Sequence, residues 1–351
     1  MKWIVTGGAG FVGCNTVKRL LAQGDEVVLI DNLSRKGTQA NLEWLRTYGK
    51  FEFVCQDIRD YDSVCALFKC HQDVDVVLHL AAQVAVTTSV VNPREDFEIN
   101  AIGTFNLLEA VRNFAAQAVF LYASTNKVYG KMEQAGIKLV GDRYQYSQLP
   151  KGVDETASLD FYSPYGCSKG AADQYVRDYS RIYGLRTVVF RQSCIAGIRQ
   201  LGIEDQGWVA WFTIAAVLGS PITIYGDGKQ VRDVLFVDDL VSCYLQAVKQ
   251  IDTVSGQVYN IGGGTNNQLS LLELLQFLQG KFSDPLKLNY SGWRPGDQRI
   301  FVADVSKAKL DFDWEPKLDI LTGLNLLYTW VCQEQPLLQS VLADQLNKAK
   351  R

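Results

Sequence analysis

Through the first 125 residues, short runs of apolar, largely β-branched residues alternate with amphipathic stretches. The runs predict strands over 3–5, 26–30, 51–55, 75–79 and 118–122, with a helix over 11–23 and helical patterns between the rest. These strands are apolar along their whole length rather than at alternate positions. Both of their faces must therefore be covered, which predicts a parallel sheet between two helical layers. The fold class is α/β, a doubly wound, Rossmann-like sheet.

A long helix follows over 164–183, with Pro164 suited to its first turn, and then another apolar strand over 186–190. Beyond residue 192 the rhythm loosens into glycine-rich turns at 226–228 and 262–264 with short helices between them. The expected organisation is a dinucleotide-binding domain over 1–191 with a returning segment near 230–260. A smaller, discontinuous substrate lobe follows over 192–229 and 261–335. Residues 131–155 are expected as a long loop and 336–351 as a tail forming a frayed surface helix.

Composition narrows the function class. The 351 residues carry 35 Lys and Arg against 38 Asp and Glu, a net charge of −3, which lacks the basic footprint of a nucleic-acid binder. No apolar run is long enough for a membrane span, and the N-terminus enters a glycine cluster too soon for a signal peptide. Eight scattered cysteines without a C-x-x-C pair suggest reduced thiols and a cytoplasmic location. Two histidines supply little material for a metal site or a Ser-His-Asp hydrolase, so no metal is expected.

The glycine cluster is chemically specific because of its place. Gly7, Gly10 and Gly13 stand between the first strand and first helix, allowing a tight turn, close backbone approach to a pyrophosphate, and helix–strand packing. The amides of Phe11 and Val12 then open the helix toward the phosphates. Asp31, 18 residues past Gly13, ends the second strand and can accept both ribose hydroxyls, favouring NAD over NADP; Asn32 stands beside it. Arg35 and Lys36 read as exposed loop charges. Asp57 and Ile58 are expected at the adenine, and Leu80, Ala81 and Gln83 beside the cofactor after the fourth strand. His79 reads as a packed strand residue.

Tyr165 and Lys169 lie four apart on one helix face, where an ammonium stabilises a phenolate and lowers the phenol's pKa. A second Y-x-x-x-K, Tyr225 to Lys229, falls in a glycine turn, where the two side chains need not share a face. Thr125, just past the fifth strand, is placed to hydrogen-bond the substrate oxygen that gains and loses a proton. An ordinary turn-forming hydroxyl is the alternative.

Together these segments resemble an extended short-chain dehydrogenase/reductase of the nucleotide-sugar epimerase/dehydratase group. The resemblance spans nearly the whole chain, including Asn100-Ala101-Ile102-Gly103-Thr104. It implies bound NAD and Thr125, Tyr165 and Lys169 as catalytic residues. Lys169 also holds the nicotinamide ribose, and Asn100 is a further cofactor residue. Arg232 and Arg294 match the group's diphosphate arginines; Thr88, Ser89, Asn126 and Gln206 would touch substrate. The longer strings, among them Ser124-Thr125-Asn126-Lys127-Val128-Tyr129-Gly130 and Asp205-Gln206-Gly207-Trp208, resemble the branch that epimerises CDP-linked dideoxy sugars at C2. The implied substrate is a CDP-sugar. Cys194-Ile195-Ala196-Gly197 departs from the group's Asn and Tyr-Gly-Pro turn.

Dehydratases of the group follow the catalytic Thr with Asp-Glu, whereas this chain has Asn126 and Lys127, which argues for epimerisation. The resemblance also implies a homodimer or homotetramer built through helices near 93–115 and 164–183. A UDP-hexose 4-epimerase, a net NAD-dependent nucleotide-sugar dehydrogenase or dehydratase, and a non-catalytic dinucleotide sensor are the competing readings.

Overall fold

The computed structural model describes residues 1–294 and 296–349. Seven parallel strands form one sheet. Chain order gives β1 (Lys2–Thr6), β2 (Glu26–Asp31), β3 (Glu52–Cys55), β4 (Val76–His79) and β5 (Val119–Thr125), then Arg186–Gln192 and Gln257–Ile261. Across the sheet the order is Gln257–Ile261, Arg186–Gln192, β5, β4, β1, β2, β3. Two apolar cores lie on its opposite faces. One contains Val5, Leu29, Leu78 and Leu121, and the other Ile4, Val28, Val77 and Phe120. Adjacent residues entering opposite cores explain why the runs are apolar throughout.

Register aligns the carboxyl ends that matter. Thr6 pairs with both Ile30 and His79, and His79 with Tyr122, so the chain leaves β1, β2, β4 and β5 along one edge. There the glycine turn, Asp31, Leu80 and Thr125 are brought side by side. The helix Pro164–Tyr183 packs over this region. Ser163 caps it by accepting from the Gly166 amide, Pro164 occupies the first turn, and Gly184 in the left-handed region ends it.

A third core fills the smaller lobe, where Trp211, Ile214, Leu274, Leu278, Leu327 and Trp330 meet. The strand Val231–Phe236 anchors a small sheet, pairing with Cys194–Ala196, Gln268–Ser270 and Ile300–Phe301. Gln257–Ile261 then returns the chain to the main sheet.

Two expectations need correction. Residues 131–155 contain an antiparallel hairpin, Ile137–Val140 with Arg143–Tyr146, whose Tyr146 is buried with Ile300 and Phe301. The C-terminal tail carries Leu338, Leu342 and Leu346 into the lobe's core rather than fraying on the surface. Those leucines recur at helical spacing, and burying them offsets the entropy of ordering the segment. No described helix is long and apolar enough to cross a membrane.

Candidate active site

The glycine turn shows what each glycine is for. Gly7 has φ +67°, and a Cβ there would lie 2.7 Å from the Ala81 nitrogen. A Cβ on Gly13 would lie 2.3 Å from the Gly7 carbonyl oxygen. At Gly10 a Cβ would meet only that oxygen, at 3.1 Å, and would otherwise fill the mouth of a cleft. The cleft is lined by Gly10, Phe11 and Val12, so the first-turn amides of Phe11–Ala22 open onto it. This cradle fits a pyrophosphate.

Asp31 lines the same cleft and accepts from the Ala9 amide at 3.1 Å and the Leu33 amide at 2.8 Å. Burial raises its pKa against those two bonds. Asn32 donates to Asp57 at 3.1 Å, and Arg59 grips the same carboxylate at 2.7 Å, holding it down at about 2. Ile58, Leu80 and Ala81 complete the wall. Arg35 and Lys36 are exposed but also line the cleft beside Asp31, where Arg35 reaches Gln206 and Lys36 reaches Asp344. His79 is buried between the hydroxyls of Thr6 at 2.8 Å and Thr104 at 2.9 Å.

Gln83 and Asn100 are placed differently from the other expected cofactor residues. Asn100 accepts from the Gln83 amide at 2.9 Å and donates to Asp96 and Ser168, each at 3.1 Å. Ser168 in turn donates to Asp96 at 2.5 Å. This buried network ties the π-helical turn Glu98–Ile102 to the helix carrying Tyr165 and Lys169. Both are tied through this network to the helix that carries Tyr165 and Lys169. Asp96 went unnoticed in the sequence because no spacing marks a buried carboxylate.

Thr125, Tyr165 and Lys169 do converge, beside the walls of the cavities rather than in them. Thr125 stands close enough to the Tyr165 phenol to favour its ionised form. Lys169 is buried, its ammonium 4.3 Å from the centre of the Tyr122 ring. The expected lowering of the phenol by Lys169 is not what the protein's own groups produce. Burial pushes Tyr165 up to about 12, only partly offset by Thr125. Burial likewise pushes Lys169 down to about 7 against the pull of Asp173 and Asp96. Desolvation outweighs the helix-face pairing that sequence spacing suggested.

A second clamp steadies this group. Asp173 takes two bonds from Arg191, both at 2.9 Å, and one from Ser124 at 2.8 Å, all buried. Arg191 also donates to the Tyr129 hydroxyl at 3.0 Å, which donates onward to Asn260 at 2.8 Å. The strand end carrying Thr125 is thereby locked to the catalytic helix and two neighbouring strands.

A second cavity adjoins the cleft, with Val84 and Gln206 lining both. Its wall includes Thr87, Lys127, Trp208, Tyr225, Arg232, Arg294 and Asp297. Arg294 stacks 3.7 Å from the Tyr225 ring centre and pairs with Asp205 at 3.3 Å. Of the two expected hydroxyls, Thr88 is exposed and off the wall, and Ser89 is buried. The Ser89 hydroxyl donates to the Val86 carbonyl at 2.7 Å and accepts from the Tyr165 amide at 3.1 Å, leaving it as a support for the catalytic helix. The segment Val86–Val91 is helical, so successive threonines diverge and Thr87 is the one that lines the cavity. Asn126 is buried against Gln298, to which it donates at 3.2 Å. Among the described residues no cluster of His, Cys, Asp and Glu could hold a metal.

Comparison with known proteins fits this geometry. The family described as GDP-mannose 4,6-dehydratase matches residues 4–326. The chain is 48% identical to the CDP-paratose 2-epimerase of Salmonella typhi, over 94% of this chain and 99% of that protein. It is 32% identical to a putative UDP-glucose 4-epimerase of Methanocaldococcus jannaschii, over 93% and 97% of the two chains. Among solved structures, the dTDP-glucose 4,6-dehydratase of Streptomyces venezuelae with NAD and TYD bound superposes with a TM-score of 0.83. It shares 27% identity, covering 97% of this chain and 100% of that one.

Proposed function

The chain belongs to the GDP-mannose 4,6-dehydratase family, which takes in epimerases as well as dehydratases, and from that premise we propose that it is an NAD-dependent 2-epimerase converting CDP-paratose to CDP-tyvelose. The pair following Thr125 carries the choice of epimerisation. Elimination of water needs an acid and a base at those positions. Here Asn126 is spent on Gln298 and Lys127 donates to the Gly296 carbonyl at 3.3 Å. Neither supplies a carboxylate. The similarity to the Salmonella typhi enzyme supports the sugar and the base.

The substrate's chemistry fixes the route. A 3,6-dideoxyhexose has no hydroxyl at C3 to oxidise, and a ketone at C4 is not adjacent to C2, so the economical course oxidises C2 itself. NAD held by the cradle at Gly7, Gly10 and Gly13 and by Asp31 would supply a reversible acceptor for the C2 hydride and a positive charge that would favour the Tyr165 phenolate. Tyr165 takes the proton of the 2-hydroxyl as the C2–H bond breaks, leaving a ketone. Thr125 holds that oxygen, and Lys169 steadies the phenolate and would hold the cofactor's ribose. The ketone turns over, the same hydrogen returns to the opposite face, and Tyr165 gives its proton back. No net oxidation occurs.

The test uses CDP-paratose deuterated at C2. Product that keeps the label at C2 is expected; label lost to solvent, or turnover only with UDP-hexoses, refutes the reading. We further propose a homodimer or homotetramer in the cytoplasm, supported by the exposed Phe105, Tyr175 and Tyr183 on the neighbouring helices Gly103–Phe114 and Pro164–Tyr183.

A further inference from the structure

We infer that Lys127 binds the phosphate nearest the sugar and thereby sets which ring carbon reaches Thr125 and Tyr165, a role that rests on the 2-epimerase reading above. The backbone of Lys127 is fixed to the catalytic group. Its amide donates to the Thr125 hydroxyl at 3.2 Å, and its carbonyl accepts from the Gly130 amide at 3.2 Å. A Cβ on Gly166, the residue after Tyr165, would sit 3.2 Å from that same carbonyl. From this base the side chain runs into the second cavity, where the ammonium meets the Gly296 carbonyl.

The cavity wall carries three cations, Lys127, Arg232 and Arg294, together with the carboxylates of Glu204, Asp205 and Asp297. Arg232 lines the same cavity, and its guanidinium donates to the carbonyls of Val231 at 2.7 Å and Gln298 at 2.8 Å. Two cations thus stand together with neutral oxygens as their hydrogen-bond partners, whereas Arg294 is engaged by Asp205. Burial and the field of Arg232 push Lys127 down to about 7, with Asp297 pulling the other way. An anion between Lys127 and Arg232 would relieve that repulsion.

The reaction decides which anion. C2 is bonded to the anomeric carbon that bears the diphosphate, while C4 lies across the ring from it. Presenting C2 to Thr125 therefore brings the sugar-proximal phosphate up to the strand end, where Lys127 waits. Presenting C4 would put ring carbons there instead. A cation in place of the dehydratase carboxylate both removes elimination chemistry and rewards the C2 register.

The probes are CDP, which carries that second phosphate, and CMP, which lacks it, titrated into the cofactor-loaded wild type, Lys127→Met and Lys127→Arg. Lys127→Met is expected to weaken CDP at least about tenfold and leave CMP within twofold, with Lys127→Arg recovering most of the CDP affinity. Equal affinities of wild type and Lys127→Met for CDP, or equal losses for CDP and CMP, overturn the inference. Cofactor content and the unfolding midpoint report whether each variant folds. A wild type that separates CDP from CMP through Lys127 yet turns over no CDP-sugar would sink the epimerase reading and the register claim, while leaving the phosphate contact standing.

Discussion

The dinucleotide cleft and the cavity beside it are built on opposite principles. The phosphate cradle of the cleft is largely a backbone device: a left-handed Gly7 and first-turn amides at Phe11 and Val12, with one acid at the end of β2, all within the first 31 residues, while side chains as far along as Gln206 complete the wall. The cavity is a side-chain device. Thr87, Lys127, Trp208, Arg232 and Arg294 reach it from segments scattered over more than half the chain. Backbone sites tolerate little change because a glycine has no substitute. Side-chain sites can be retuned one residue at a time, and one such fold can serve several sugars.

The largest effect is expected where the two regions meet. Tyr165→Phe keeps the ring and its packing but removes the proton carrier, so kcat should fall by about a thousandfold or more. NAD carried through purification should stay at wild-type stoichiometry, since the cleft wall is untouched. Full activity in that variant would remove Tyr165 from the chemistry.

Gly13→Ala separates the regions from the cleft side. Its new Cβ would press on the Gly7 carbonyl and on Gly8, at 2.3 and 2.6 Å, and push the turn out of shape. We expect about 1–3 kcal/mol of lost stability in denaturant titrations and a marked drop in bound NAD. CDP affinity should be unchanged. If CDP binding fell in step with NAD, the two regions would be one cooperative site and the contrast would fail.

The same contrast explains what could be read from the sequence. Gly7, Gly10, Gly13 and Asp31 were legible because the chain itself brings them together, a strand and a helix apart. Tyr165 and Lys169 were legible as a pair, but the sign of the phenol's shift was not. Spacing reveals a neighbour's charge and hides burial, and here burial wins. The bonds that tie Ser89, Gln83 and Asn100 to the catalytic helix were not legible, because a polar residue near a site looks the same in sequence whatever it is bonded to. Asp96 and the Asp173–Arg191 clamp were invisible, since only folding closes them. The leucines of the tail were misread for lack of any sign of what they pack against.

The smallest effect probes the cavity at its least obvious residue. Thr87 lines the wall, and its buried hydroxyl has no hydrogen-bond partner within the protein. Leaving such a group unmatched is costly, so a substrate hydroxyl or phosphate oxygen that meets it is rewarded. Thr87→Val keeps the shape and removes the donor, and losing one neutral hydrogen bond of about 0.5–1.5 kcal/mol should raise KM roughly three- to tenfold with little change in kcat. Thr88→Val, one residue on and exposed, should leave KM where it was. If the two exchanged roles, with Thr88→Val raising KM and Thr87→Val silent, the helical turn of Val86–Val91 would have to present its other face to the substrate. The wall of the cavity would then need to be redrawn around Thr88.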